Sequence, residues 1–281
     1  MASRIHNRLV AAGGTDVGCV RTLNEDNYRI DREIGLLIVA DGMGGHDAGE
    51  VASAHVIKAI RAGLGGEPAT AEEEEITVLT RRMDSQDVED DPPTQDNPED
   101  PFIDVVRGTV QEANSQVNQL NQDKGFNEGA GMGSTLVGMW LPEMNPPPNE
   151  PISGIVFHVG DSRLYLRRGD QFRAVTRDHS MYQQWIDFGG RGKPPAQNII
   201  LQAMGPTPYV APDVTRLPLE AGDTLLLCSD GLSGMIPDDQ INAMLADATA
   251  DNLDALCDKL LEQARENGGK DNITVILGYV L

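Results

Sequence analysis

Five short runs constrain this chain more than any other feature: Leu36 to Ala40, Leu136 to Trp140, Ile155 to Val159, Leu225 to Cys228 and Ile273 to Leu277. Each is continuous, apolar, rich in branched side chains and closed by turn formers, the pattern of a buried strand. In FHVGDSRLYLRRGDQFRAV, with Gly169 and Asp170 at a tight turn, strand follows strand directly, which demands antiparallel pairing. Helical patterns stand in separate blocks. Phe102, Val106, Val110, Ala113, Val117 and Leu120 recur every three or four residues behind Asp100 as cap and Pro101 in the first turn, predicting a long amphipathic helix. Leu253, Leu256, Cys257, Leu260, Leu261 and Ala264 form a second stripe, started by Asp251 and stopped by Asn267, Gly268 and Gly269. A weaker helix is expected over about Ala48 to Leu64. The arrangement predicts an α+β fold of antiparallel sheets covered by helices.

The chain has 281 residues, 40% of them apolar, enough to bury a large core as one big domain or two small ones. Its start, MASRIHNRLV, lacks the apolar stretch of about 7 to 15 residues that a secretory signal needs. No run approaches the roughly 20 apolar residues of a membrane span, so a cytoplasmic protein is expected. Cys19, Cys228 and Cys257 show no CxxC spacing and are read as reduced, buried thiols. The formal charge is −22, which repels nucleic acid and anionic membrane. Half of it lies in residues 67 to 100, where thirteen acids accompany two arginines. That segment is too polar and proline-rich to pack and is read as a disordered, exposed insertion; PEMNPPPNEP at 142 to 151 is expected to lengthen a hairpin.

Three of the apolar runs lead into an aspartate: LLIVA before Asp41, IVFHVG before Asp161 and LLLCS before Asp230. Any one of these is explained by an Asp-Gly or Asp-Ser turn closing a strand. Asp271 before ITVIL, with Glu25 and Asp26 in LNEDN, brings the carboxylates at the edges of core elements to six. If several converge, their repulsion needs a cation. Oxygen-only ligands suit magnesium or manganese, whereas zinc would ask for His and Cys clusters. Two such ions can clamp a phosphoryl group, and Arg21, four residues before Glu25, could supply a bidentate grip on phosphate oxygens.

RTLNEDN at 21 to 27, VADGMGGHDAGEVAS at 39 to 53, GMGSTL at 131 to 136, HVGDSRLY at 158 to 165, CSDGL at 228 to 232 and GGKDNITV at 268 to 275 together resemble the ordered motifs of the type 2C, metal-dependent serine/threonine phosphatases. The match covers nearly the whole chain, with the two insertions falling between motifs. The resemblance implies one catalytic domain, a four-layer αββα sandwich of two antiparallel sheets flanked by antiparallel helices, with metals in a cleft at one sheet edge. It implies that Asp41, Asp230 and Asp271 hold one Mn2+ or Mg2+ ion. Glu25, Asp41 and the backbone carbonyl of Gly42 would hold a second, with Asp41 bridging. Asp26 and Asn272 would orient ligands and waters.

The implied reaction is direct attack on phosphorus by a metal-bridged hydroxide, with Arg21 and the ions neutralising the equatorial oxygens. No side-chain nucleophile is needed, so Ser134, Ser229 and Cys228 are given none of the chemistry. His46 resembles the family's histidine near the cleft and is a candidate to protonate the leaving alkoxide, although in some members that histidine directly follows the Asp-Gly pair, where this chain has Met43. His179 in RDHS is read as structural. Asp161 matches a position of a weaker third divalent site shared with Asp230, but Gly234 stands where the family often carries a further acid, so that site is looser here. Ser180 to Pro195 falls where the family carries its variable flap, and its glycines, Trp185 and Arg191 suit a mobile substrate-contacting loop.

The expected partners are phosphoserine and phosphothreonine proteins and a serine/threonine kinase acting in opposition, with the phosphatase a monomer. A metal-dependent nuclease could use the same carboxylates, but the acidic composition opposes it and no basic groove is visible. A phosphate loop of the GxxxxGK[ST] type is absent around GMGST. A phosphoprotein-binding relative without catalysis is disfavoured by the intact Arg21, Glu25, Asp41, Asp230 and Asp271.

Overall fold

The computed structural model describes residues 3–6, 8–44, 48–66, 100–143 and 151–281. His46, the acidic segment 67–99 and residues 144–150 of the second insertion lie outside them. All five apolar runs form strands. One sheet has the order β1 (Ser3–His6), β2 (Leu9–Asp16), β12 (Ile273–Val280), β11 (Thr224–Cys228), β8 (Arg163–Arg168) and β9 (Gln171–Ala174). The other runs β10 (Asp213–Leu219), β7 (Ile152–Val159), β6 (Leu136–Trp140), β4 (Leu36–Met43) and β3 (Asp26–Asp31), with the two-residue β5 (Gly133–Ser134) against β4. Every pairing is antiparallel.

The continuous apolar runs follow from burial on both faces. In β4, Leu37 and Val39 point between the sheets, against Val137, Leu164, Leu225 and Ile276. Their alternates Leu36, Ile38 and Ala40 meet the helices Ala48–Gly63 and Pro101–Asp123 through Val56, Ile60, Val106 and Val110. On the opposite side Leu226, Val275 and Leu277 pack beneath the Leu253–Glu266 helix, with Cys257, Leu260 and Ala264 facing them. Helices, two sheets and helices therefore make the four layers. Truncating a fully buried leucine such as Leu37 to Ala would cost about 2–5 kcal/mol.

The helix starts refine the sequence reading. Asp100 caps the long helix as expected, its Oδ1 accepting from Phe102 N at 3.1 Å with Pro101 in the first turn. The Leu253–Glu266 helix is preceded by Asn252 at the cap position, in place of Asp251, and the Asn252 side chain accepts from Thr249 N instead of from the helix. Cys19 is exposed, contrary to expectation, while Cys228 and Cys257 are buried. Within Ser180 to Pro195, Ser180 caps a short helix, Met181–Asp187, that buries none of its side chains.

Direct succession of strands does not always mean pairing. β8 and β9 form the expected hairpin, Arg168 opposite Gln171 around Gly169 and Asp170. β7 and β8 belong to different sheets, because both edges of β7 are taken by β6 and β10 and both edges of β8 by β11 and β9. Gly160, Asp161 and Ser162 carry the chain from sheet to sheet, Gly160 at φ 106°. This crossing leaves Asp161 at the end of the sandwich, beside the other carboxylates.

Candidate metal centre

The cleft is assembled from chain ends that the two sheets bring to one edge. Asp26 at the start of β3 lies opposite Asp41 of β4 in the strand register. β4 does not stop at Asp41 but runs on through Gly42 and Met43, so the Gly42 amide donates to the Glu25 carbonyl at 3.2 Å. Glu25 Oε1 accepts from Gly49 N at 3.2 Å, at the start of the Ala48–Gly63 helix. The approach is too close for side chains: a Cβ on Gly42 would lie 2.1 Å from the Gly49 carbonyl oxygen, and one on Gly49 2.4 Å from Glu25 Oε1.

The other sheet contributes Asp230, one residue past β11, and Asp271 before β12. Asn272 fastens the two halves: its amide nitrogen donates to the carbonyls of Val17 and Leu23 at 3.0 and 2.8 Å, and its Oδ1 accepts from Glu25 N at 2.8 Å. The loop so held presents Arg21, whose Nη2 donates to Asp271 Oδ2 at 2.8 Å. Asp26 is buried, with Ser229 Oγ donating to its Oδ2 at 2.7 Å. Arg21, Glu25, Asp41, Gly42, Asp161, Asp230 and Asp271 all line one cleft of about 300 Å³. Of the expected site, only His46 lies outside the described residues.

The electrostatics of this cleft call for cations. Desolvation, then Asp26, Asp230, Asp161 and Asp271, pushes the Asp41 carboxyl well above the usual carboxylate range. Burial raises Asp26 to about 6 against the bonds from Ser229 and Thr274, with Asp230 and Asp271 adding repulsion. Burial and the charge of Asp230 raise Asp161 to about 7. Asp230 is also raised, by desolvation and Asp271, and its buried Oδ1 has no hydrogen-bond partner. Oxygen atoms left in this state fit hard divalent ions, which would reverse each of these shifts.

A second cluster does not fit a metal. His158, His179 and Asp213 bring potential ligand atoms within 4.8 Å of one another. The imidazoles, however, stack 4.5 Å apart and 28° from parallel, so their in-plane lone pairs do not converge on one point. His158 Nε2 is engaged by the Arg177 carbonyl at 2.8 Å, and His179 holds Gly160 through its N–H at 2.8 Å and its Nδ1 at 3.3 Å. The structural reading of His179 stands: it steadies the turn before Asp161.

Against known proteins, residues 20–278 match the family model described as protein phosphatase 2C. The chain belongs to the protein phosphatase 2C family. A serine/threonine phosphatase stp of Listeria innocua is 32% identical over 273 residues, covering 94% of this chain and 92% of the relative. Protein phosphatase PhpP of Streptococcus pneumoniae is 32% identical over 278 residues, covering 94% of each. Among solved structures, the serine/threonine phosphatase PstP/Ppp of Mycobacterium tuberculosis superposes with a TM-score of 0.73 at 30% identity, over 97% of this chain and 99% of that one. The catalytic domain of a PstP in complex with two manganese ions superposes at 0.71 and 30% identity, over 98% and 99%.

Several residues of this phosphatase 2C cleft were not singled out from the sequence. Thr135 clamps Asp41, donating its amide to the Asp41 carbonyl at 2.8 Å while its Oγ1 accepts the Asp41 amide at 3.0 Å. Ser134 Oγ donates to the same carbonyl at 3.1 Å, and its backbone exchanges bonds with Met204. Asn198 and Ile200, which follow the flap in the chain, reach the cleft. Behind them Asn114, Asn118 and Asn121 form a buried polar row on the Pro101–Asp123 helix. They bond Thr207 O, Gly205 O and N, and Met132 O and N at 2.7 to 3.1 Å. Their spacing, four and then three residues on one helical face, was the available signal.

Proposed function

We propose that this protein hydrolyses phosphoserine and phosphothreonine on proteins with two divalent ions, Mn2+ or Mg2+. Asp41, Asp230 and Asp271 hold one, and Glu25, Asp41 and the Gly42 carbonyl the other. The observation that carries the proposal is the unpartnered, buried Asp230 Oδ1 in a cleft of mutually repelling carboxylates beside Arg21. Such ions, when bound, supply a nucleophilic water near neutral pH and neutralise phosphoryl oxygens. Arg21, half-exposed and paired with Asp271, can turn its remaining N–H donors to a substrate phosphate. Asn272 and Thr135 keep the Glu25 and Asp41 backbones in register. Asp26, beneath them, receives the Ser229 hydroxyl and steadies Asp41 across the strand pair. Asp161 and Asp230, close enough for repulsion, would share a weaker third ion.

The assignment of leaving-group protonation to His46 rests on its place in GGHDAGE. The wider reading is a single catalytic domain, monomeric and cytoplasmic, that opposes a serine/threonine kinase on shared substrates. No helix among the described residues is long and apolar enough to cross a membrane. The test is phosphate release from a phosphothreonine peptide by chelated protein, before and after manganese, with bound metal counted by mass spectrometry. We expect no turnover without metal, restoration by manganese and about two ions per chain. Full turnover with no metal bound would sink the proposal.

A further inference from the structure

A second groove, about 490 Å³ in volume, opens off the metal cleft and shares Asp161, Asn198, Asp230 and Asp271 with it. One wall comes from the root of the flap, with Ser180, Tyr182 and Gln197; another comes from the turn after Asp230, with Gly231, Ser233 and Gly234. The charged groups in this groove are not equally committed. Asp161, Asp230 and Asp271 belong to the cation site. Asp178 receives Arg163 Nε and Nη2 at 2.8 and 2.7 Å, a bidentate pair that balances the guanidinium charge, and Arg163 Nη1 donates to the Tyr165 hydroxyl at 2.9 Å. Lys270 is different. It is exposed on the groove wall, and among the described residues no carboxylate forms an ion pair with it, its neighbour Asp271 being paired with Arg21.

We infer that this groove receives the residues flanking the phosphorylated serine or threonine and that Lys270 selects there for an acidic side chain. The inference rests on the phosphatase reading of the cleft. Because the groove joins the cleft directly, an extended peptide with its phosphate among the carboxylate ligands enters the groove within a few residues, at about 3.3–3.6 Å each. With the charge of Arg163 balanced by Asp178, the groove cation without an ion-pair partner among the described residues is Lys270. The protein's overall charge of −22 acts the other way, disfavouring acidic peptides, but it does so in any Lys270 variant as well. What isolates Lys270 is therefore the change in preference between variants.

The experiment uses phosphothreonine nonapeptides in an alanine background, with Glu, Ala or Lys at three residues on one side or the other of the phosphothreonine. For an exposed pair, Lys270→Met should lower the Glu-to-Lys ratio of kcat/KM by up to about five-fold, and Lys270→Glu should lower it further. The change should lie in KM, fade at high salt, and leave turnover of the Ala peptide at the wild-type level. Fluorescence anisotropy with a non-hydrolysable phosphonate version of the Glu peptide should show the same loss of affinity. A Glu-to-Lys ratio unaltered in Lys270→Glu would overturn the inference. So would an equal loss on all three peptides, which reports damage to Asp271 and not selection. Failure of the wild-type protein to turn over any peptide would remove the phosphatase reading itself, and this inference with it.

Discussion

Carboxylates that leave water outside the cleft take an arginine with them, whereas those in the cleft face one another. Arg61 Nε meets Asp31 at 2.6 Å, Arg168 meets Asp223 at 2.6 and 2.8 Å, and Arg163 meets Asp178 with both nitrogens. Burial alone would push Asp31 up, yet Arg61, the Glu33 amide and Arg29 hold it below the usual carboxylate range. Asp26, Asp41, Asp161 and Asp230 are all pushed upward, by desolvation first and by one another second. Among the described residues, Arg21 is the guanidinium that lines the cleft, and it bonds Asp271 alone. The difference teaches that burial does not mark a functional carboxylate. Missing compensation does, because the chain leaves that charge for a ligand to balance.

If the contrast is right, removing a carboxylate from each region should have opposite consequences. The largest effect is expected for Asp230→Asn, with turnover falling by about a thousand-fold through lost metal affinity, since metals supply several kcal/mol to the transition state. The chelated variant should be at least as stable as the chelated wild type, because one of the mutually repelling charges is gone. Metal titration and thermal melts check both halves; wild-type kinetics at limiting manganese would remove Asp230 from the site. In the compensated region, Arg61→Ala should cost about 3 kcal/mol of stability by leaving buried Asp31 to Arg29 and the Glu33 amide, while metal affinity stays unchanged. Urea unfolding reads that difference, and a loss under 1 kcal/mol would erase the comparison.

The pH dependence sharpens it further. With Asp26 at about 6 and Asp161 at about 7, both above their unfolded values, the folded metal-free protein holds more protons than the unfolded chain between about pH 4 and 7. The stability these two groups give the chelated protein should therefore be full at about pH 4 and be lost as pH rises through 6 to 7, by on the order of a few kcal/mol. Asp161→Asn should flatten the fall, and saturating manganese should reverse it, because deprotonated ligands bind metal. Melting temperatures rising from pH 5 to 8 in chelator would contradict the assignment. A smaller loss, about 1–3 kcal/mol, is expected for Asn121→Ala, which strands the Met132 amide and carbonyl. The smallest concerns the acidic insertion read from the sequence: deleting Glu72 to Asp96 should leave stability and short-phosphopeptide turnover within measurement error, because so polar and proline-rich a segment has little apolar surface to bury and closure entropy changes slowly with chain length. Collapse of the fold on deletion would make that segment part of the core.

Strand and helix identity were legible because burial imposes local patterns. Leu36 to Ala40 is apolar throughout since helices cover one face and a second sheet the other, and Asp100-Pro101 starts its helix through local capping alone. The proposed ligand set was legible only as a family pattern. Asp41, Asp230 and Asp271 each look like turn residues until motif order links them. The Met181–Asp187 helix was hidden because, with no buried face, it shows no apolar stripe. The asparagine row was missed because its partners are backbone groups far along the chain, which leave no trace in side-chain type.

What the sequence determined by itself was therefore the local vocabulary: which runs are buried and where the long helix begins. Tertiary structure alone decided the sheet to which each strand belongs, and with it the site. HVGDSR reads as a tight hairpin, yet β7 and β8 separate into different sheets because each already has partners on both edges. That separation sets Asp161 near Asp230, and the Asn272 bonds draw the Glu25 loop to the end of β12 across more than two hundred residues. Periodicity and capping act over a few residues, whereas the repulsion among these aspartates exists only once non-local pairing has brought them together.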